Sequence, residues 1–193
     1  MIVGWKKLPA IVSEGSALEI RKMQNQSNSL EGKKILYQLV WKQYGIDLTL
    51  EENPISIMEK GKPYLCNHPD IHFNISHSND LVACVVADAP VGIDVQYCEA
   101  KNIQVLAKRA FSPEEWKDFE ESDFCEEFFF RYWTKKESYL KYTGEGIRSD
   151  LRKMEYEGAK FWELELCPGY MGMVCMPMEC EEEVRVVNVI QGE

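Results

Sequence analysis

The 193-residue chain has seven cysteines but no CxxC pair, and only three histidines, none at metal-ligand spacing from a third ligand. An odd, scattered set of thiols argues against a disulfide framework and a structural zinc site, and reads as reduced cysteines in a cytosol. No window approaches 18 uninterrupted apolar residues, and the opening stretch MIVGWKKLPAIVSEG lacks a basic segment followed by a long apolar core. The expectation is a cytoplasmic protein, neither secreted nor membrane-spanning. Basic residues are also short, 22 Lys and Arg against 32 Asp and Glu, leaving a net charge of -10. Affinity for phosphate backbones comes mostly from clustered Lys and Arg, so this balance argues against a general nucleic-acid binder.

What is present is globular: 45% hydrophobic and 28% charged residues, in a length that suits one large domain or two small fused lobes. After a short apolar start, Ser29 to Gly45 places Leu30, Ile35, Leu36, Leu39 and Val40 near one helical face, with Gly45 as a C-cap. A loop leads to GKPYL, residues 61–65. Three strands are then expected in HFNIS, DLVACVVADA and VGIDVQY, with a tight turn around His77 to Asp80. From residue 101 the pattern is helical, including SPEEWKDFEES with Ser112 as N-cap and Pro113 in the first turn, and a last helix ending near Gly144. DLRKMEYE, KFWELEL, GMVCM and EVRVVNVI read as strands. The expected class is α+β, with helices on antiparallel sheets, and the change of character near residues 98–101 divides the chain into lobes 1–98 and 99–193. The order of elements suggests an internal duplication, although no residue-level repeat accompanies it.

Four places carry possible chemistry. Trp133, Glu137 and Lys141 are spaced at four, so one helical face presents an aromatic, an acid and a base. The ordinary alternative is a surface ion pair worth about 0.3–0.5 kcal/mol beside core aromatics. Asp94 sits among Val91, Ile93 and Val95 in a strand, where an unpaired charge costs several kcal/mol, so it requires a lysine or arginine, a helix N-terminus or a metal. An Asp and a Glu together with a diphosphate suit Mg²⁺, a hard ion usually held by one or two carboxylates plus phosphates. Ser76, His77 and Ser78 offer hydroxyls, an imidazole and backbone N–H groups to phosphate oxygens, and are equally an ordinary turn. Lys62 follows Gly61, which lets the backbone approach a ligand closely.

The ordered set GKP, FNISHS, GIDVQ, FSPEEW and WTKKESYLKYTGEGI resembles the Sfp-type 4'-phosphopantetheinyl transferases, specifically from Gly61 to Ile147. The strongest parts are FNISHS followed by GIDV, and W-x-x-K-E-[AS]-x-x-K at Trp133, Lys136, Glu137, Ser138 and Lys141. The resemblance implies a pseudo-twofold pair of α+β lobes with coenzyme A in the cleft between them. It implies Asp94 and Glu137 as magnesium ligands, Lys141 at the diphosphate, and Lys62, Ser76 and His77 on the phosphates and nucleotide of coenzyme A.

Gln96 stands where many members carry a third metal-binding Glu, and it retains only an amide oxygen for the ion. QSNS, residues 26–29, replaces the usual basic residues, leaving Lys33, Lys34 or Arg21 for the 3'-phosphate. The implied activity is transfer of phosphopantetheine to a serine of an apo acyl or peptidyl carrier protein by a monomeric enzyme, with Glu137 as candidate base, directly or through water. Two other readings are a non-catalytic coenzyme A or nucleotide-binding module and a magnesium-dependent diphosphate hydrolase using the same carboxylates. The carrier is expected against Ile103 to Trp116, where Val105, Leu106, Phe111 and Trp116 adjoin Lys101, Lys108 and Arg109. EEFFFRYW is expected to pack the two lobes together.

Overall fold

The computed structural model describes residues 1–11, 16–99, 102–146, 150–181 and 183–189. Strand β1 (Ile2–Lys7) leads into helix α1 (Ala17–Tyr44), a small hairpin of β2 (Ile55–Ile57) and β3 (Pro63–Leu65), and a longer hairpin of β4 (His72–Ser78) and β5 (Leu81–Ala87). Then come β6 (Gly92–Tyr97), α2 (Ile103–Ala110), α3 (Pro113–Glu121), α4 (Glu126–Thr143), β7 (Ala159–Leu164), β8 (Tyr170–Pro177) and β9 (Arg185–Asn188). The fold is α+β, as the order of apolar runs predicts.

Four details depart from the sequence pattern. Helix α1 begins twelve residues before Ser29, at a capping box in which Ser16 Oγ accepts from the Glu19 N–H while the Glu19 carboxylate accepts from the Ser16 N–H. Its first turns are almost wholly exposed, so no apolar period marks them. Ser76, His77 and Ser78 lie in β4 and not in the turn, which is Asn79–Asp80 with Asn79 at φ 50°, a left-handed conformation that Asn tolerates. The loop before GKPYL contains β2. DLRKMEYE forms no strand; Asp150 instead caps a 3-10 turn, Leu151–Lys153, through the Arg152 N–H.

The first sheet has the order β4-β5-β1-β9, antiparallel except that β9 runs parallel to β1; the second has the order β6-β8-β7, antiparallel throughout. The run β1-α1-β4-β5 and the run β6-α4-β7-β8 therefore share one connectivity, each with its last strand in the middle. β6 pairs with β8 in the second sheet, and β9 returns to the first.

Period-2 alternation sorts the residues between faces. Ile2, Val82, Cys84 and Val86 face α1, against Ile35, Leu36, Leu39 and Val40. Val3, Ala83 and Val85 face the second sheet and meet Ile93, Val95 and Val174. The aromatic run of α4 was expected between the lobes, but Phe129 and Phe130 pack with Phe111 and Phe119 and join α2 and α3 to α4. Mainly aliphatic side chains fill the space between the sheets, whereas rings dominate the cluster among α2, α3 and α4.

One feature of this packing positions the site. β6 is an edge strand, and its outward N–H groups at Ile93, Val95 and Tyr97 donate to Asn74 Oδ1, Ser76 Oγ and Ser78 Oγ at 3.0, 3.2 and 2.9 Å. Every second residue of β4 thus satisfies every second donor of β6, and side chains join the two sheets where backbone pairing does not.

Candidate active site

The site forms where α4 crosses β6. Gly92 allows the crossing: a Cβ there would fall 2.2 Å from the Ser138 carbonyl oxygen and 2.3 Å from the Tyr142 nitrogen, so the helix backbone rests directly on the strand. Asp94 and Gln96, two and four residues further on, share the α4-facing side of β6, and Glu137 and Lys141, one helical turn apart, descend toward them.

Asp94 is 2% exposed. Its Oδ1 accepts from Lys141 Nζ at 2.7 Å and from Ser76 Oγ at 3.2 Å, and its Oδ2 accepts from Gln96 Nε2 at 3.0 Å. The partner that the sequence required is therefore Lys141. Lys141 also donates to Ser76 Oγ at 2.8 Å, while that oxygen accepts from the Val95 N–H. The single hydroxyl proton of Ser76 is thus spent on Asp94, and Ser76 acts in this arrangement as a hub between strand, acid and base.

Glu137 is half-buried, and among the described residues no ion pair reaches it. Burial raises its pKa first, the negative charge of Asp94 raises it further, and Lys141 partly offsets both. Two carboxylates that repel one another, one of them 2% exposed, are a donor set for a hard cation such as Mg²⁺, which would remove the repulsion. Among the described residues no group of three or more acidic, His or Cys side chains suits a metal. Any ion here would rest on the two carboxylates and, if Gln96 reorients, its amide oxygen.

Beside this group lies a cavity of about 190 Å³ lined by Lys62, Pro63, Asn74, Glu137, Lys141 and Gly144. Lys62 donates to the carbonyls of Tyr142 at 2.7 Å and Val91 at 3.2 Å, so it holds the C-terminal end of α4. Burial lowers its pKa to about 8. With two of three ammonium protons engaged, one remains for a ligand.

The other expected residues lie further out. His77 is exposed at the end of β4, with Nδ1 3.3 Å from Asn28 Nδ2; partial desolvation and then Lys141 lower its pKa. Lys33 is exposed on α1 and is absent from the cavity lining, as are Arg21 and Lys34, the last paired with Glu31 at 2.5 Å. Of the expected carrier contacts, Val105 is 50% exposed and Leu106 and Trp116 are half-buried, whereas Phe111 is core; Lys101 lies outside the described residues. Trp133 stacks on Phe129 at 5.8 Å, on the aromatic side of α4.

Two contributors, Asn74 and Asn28, escaped the sequence reading, as did the pairing of the motif residue Lys136, 1% exposed, with Glu115 at 2.8 Å. Glu115 is also the acid of the Ser112 capping box, so Lys136 fastens the start of α3 to α4. The alternation N-x-S-x-S in β4 was the available signal for Asn74. For Asn28 the only signal was one polar residue in phase with Ile35 and Leu39.

The sequence also resembles known proteins. The family model described as 4'-phosphopantetheinyl transferase superfamily matches residues 90–166, which contain Asp94, Gln96, Glu137 and Lys141. The chain is 33% identical over 146 residues to a 4'-phosphopantetheinyl transferase of Bacillus subtilis, covering 73% of this chain and 64% of the relative. It is 33% identical over 145 residues to 4'-phosphopantetheinyl transferase psf-1 of Bacillus pumilus, covering 74% and 60%. The match to 4'-phosphopantetheinyl transferase Sfp of Bacillus subtilis is 30% over 170 residues, covering 79% and 75%. The chain thus spans less than two thirds of the first two relatives and three quarters of the third. The family-model match, together with 30% identity to a relative of which the chain covers three quarters, shows that it belongs to the 4'-phosphopantetheinyl transferase superfamily.

Proposed function

We propose that the protein transfers the 4'-phosphopantetheine arm of coenzyme A to a serine hydroxyl of an apo acyl or peptidyl carrier protein. The serine Oγ forms a bond to the β-phosphorus, the bond from that phosphorus to the bridging oxygen breaks, and adenosine 3',5'-bisphosphate leaves with the electron pair. The observation that carries this reading is the joining of Asp94, Ser76 and Lys141 from three elements beside a cavity that also holds Glu137 and Lys62.

Phosphoryl transfer asks the protein mainly to position groups and to stabilise charge on phosphoryl and leaving oxygens. Lys141 and Lys62 supply cationic donors to a diphosphate lying in the cavity. Asp94 holds Lys141 and, with Glu137 and the amide oxygen of Gln96, would hold Mg²⁺, which supplies Lewis-acid neutralisation of the diphosphate when bound. Glu137, with its raised pKa, is the base that takes the serine proton, a contribution of about 10² to 10⁴ in rate. Transfer should then fall on acidification beginning above the ordinary carboxylate range.

The carrier meets the exposed side of α2 and α3. Val105 and Trp116 give apolar contact there, and Lys108 lies 5.3 Å over the Trp116 ring beside the exposed Arg109. These local charges matter because a chain at -10 does not steer an acidic partner from a distance. One chain supplies the whole cluster, which supports a monomer of lobes 1–98 and 99–193, with β6 of the first pairing with β8 of the second and β9 of the second with β1 of the first. The thiols of Cys66, Cys84, Cys98, Cys125, Cys167 and Cys175 support a reducing, cytoplasmic setting.

The test is intact-mass spectrometry of apo fatty-acid, polyketide and peptide carriers incubated with the protein, coenzyme A and Mg²⁺. The expected result is a gain of one phosphopantetheine arm, lost in Asp94→Ala and Glu137→Ala. No gain on any carrier while coenzyme A still binds would replace this reading with the inert binding module. Coenzyme A cleaved without any carrier would replace it with the hydrolase.

A further inference from the structure

Asn28 is 1% exposed in a stretch of α1 whose neighbours face solvent, and a buried amide must find partners. Its Oδ1 accepts from Gln24 Nε2 at 3.0 Å. Its Nδ2 lies 3.2 Å from the Asn79 carbonyl oxygen and 3.3 Å from His77 Nδ1. These contacts fix the orientation of the amide. A carbonyl oxygen only accepts, so the group facing Asn79 must be the NH₂, which leaves the oxygen to face the amide of Gln24.

The second proton of that NH₂ then points at His77 Nδ1, which must accept it. A neutral imidazole that accepts at Nδ1 carries its own proton at Nε2. The ring therefore turns its acceptor toward α1 and its donor to the opposite, exposed side.

We propose that Asn28 is a positioning residue for His77, holding the imidazole as the Nε2–H tautomer so that it presents a neutral N–H donor to the phosphate oxygens of coenzyme A. The ligand in this statement rests on the function proposed above; the tautomer does not. The same amide bonds the Asn79 carbonyl, so a purely structural tie between α1 and the β4–β5 turn is the competing role.

Ring-nitrogen NMR of the ligand-free protein separates the two. The chain has three histidines, and His77→Gln identifies the signals of His77. In the wild type at neutral pH, Nδ1 should show the shift of an unprotonated acceptor and Nε2 that of a protonated nitrogen. Asn28→Ala should give a mixture of tautomers, and Asn28→Asp, whose carboxylate can only accept, should move the proton to Nδ1. By calorimetry, Asn28→Ala should weaken coenzyme A binding about three- to tenfold, the scale of one hydrogen bond. In the His77→Gln background the same change should have no further effect.

The proposal is overturned if wild-type His77 carries its proton at Nδ1. It is overturned equally if Asn28→Ala leaves the tautomer unchanged, or weakens coenzyme A binding as much without His77 as with it. If the wild type does not bind coenzyme A at all, the functional reading fails, while the NMR measurement, which needs no ligand, still decides whether Asn28 positions His77.

Discussion

The runs β1-α1-β4-β5 and β6-α4-β7-β8 are laid out with the same connectivity, and each sets a helix on a strand that carries a glycine at the crossing. In the first, the strand-facing side of the helix is Gly32, Ile35, Leu36, Leu39 and Val40, and the contact is side chain against side chain. In the second, the buried positions include Thr134, Lys136 and Ser138, with Glu137 and Lys141 half-buried between them. Thr134 and Ser138 satisfy their own hydroxyls by donating to the carbonyls of Phe130 and Lys135. The difference teaches how a site arises from a scaffold. One helix spends its contact face on stability, while the other brings its backbone down onto the strand, keeps its hydroxyls internally bonded, and turns the remaining polar groups toward Asp94.

Substitutions on each side of this comparison should read out differently. The largest effect is expected at Asp94. Asp94→Ala leaves Lys141 without its acid and removes a proposed ligand, so transfer should fall about a thousandfold or more, as when preorganised charge is lost at a reacting phosphoryl group. The mirror case is Leu36→Ala on α1, which should cost about 2–5 kcal/mol in denaturant unfolding yet leave the coenzyme A dissociation constant unchanged below the melting transition. A large affinity change there would break the division between scaffold and site.

The two glycines sharpen it. Gly92→Ala sets a methyl against helix backbone and should cost about 3 kcal/mol and reduce transfer with it. Gly4→Ala meets only the movable side chains of Ile35, Leu39 and Val189, at 3.0 Å, and should cost about 1 kcal/mol without touching transfer.

The smallest effect is a pH dependence. Lys62, with its pKa near 8 through burial, loses its charge as pH rises through that value, so coenzyme A affinity should decline several-fold between about pH 7 and 9, and Lys62→Met should abolish the decline. Its contribution to stability moves the other way. The unfolded chain keeps this proton up to about 10.5, so between about 8 and 10.5 it binds more protons than the native state and stability from this group rises. Weakened binding in that window accompanied by falling stability would therefore have another origin.

The sequence made legible those features that are local. Ser112 before Pro113 located α3, Gly45 and Gly144 ended two helices, and short apolar runs bounded by Gly and Pro marked β5, β7 and β8. The start of α1 was hidden because an exposed helix carries no apolar period, although Ser16 and Glu19 held the cap in plain view. In the site, Glu137 and Lys141 followed from helical spacing, and the need of Asp94 for a partner followed from its apolar neighbours. That the partner is Lys141, that Ser76 stands between them, and that Asn28 reaches His77 were not legible. Each depends on residues 47 or more apart meeting across a helix–strand or strand–strand contact, apart from the Ser76–Asp94 step. The aromatic run in α4 was read as buried, but periodicity does not tell which neighbour buries it.

The bonds from Asn74, Ser76 and Ser78 to β6 also fix register. If β4 slipped by one residue against β5, Phe73, Ile75 and His77 would face the donors of β6, and the N–H groups of Ile93, Val95 and Tyr97, the first two of them buried, would lose their acceptors together. Slippage is therefore all-or-none rather than gradual, and Ser76 cannot drift from Asp94 without opening the whole seam. The same acceptors occupy the outer edge of β6, which leaves no row of free donors on which a strand of another molecule could begin to pair.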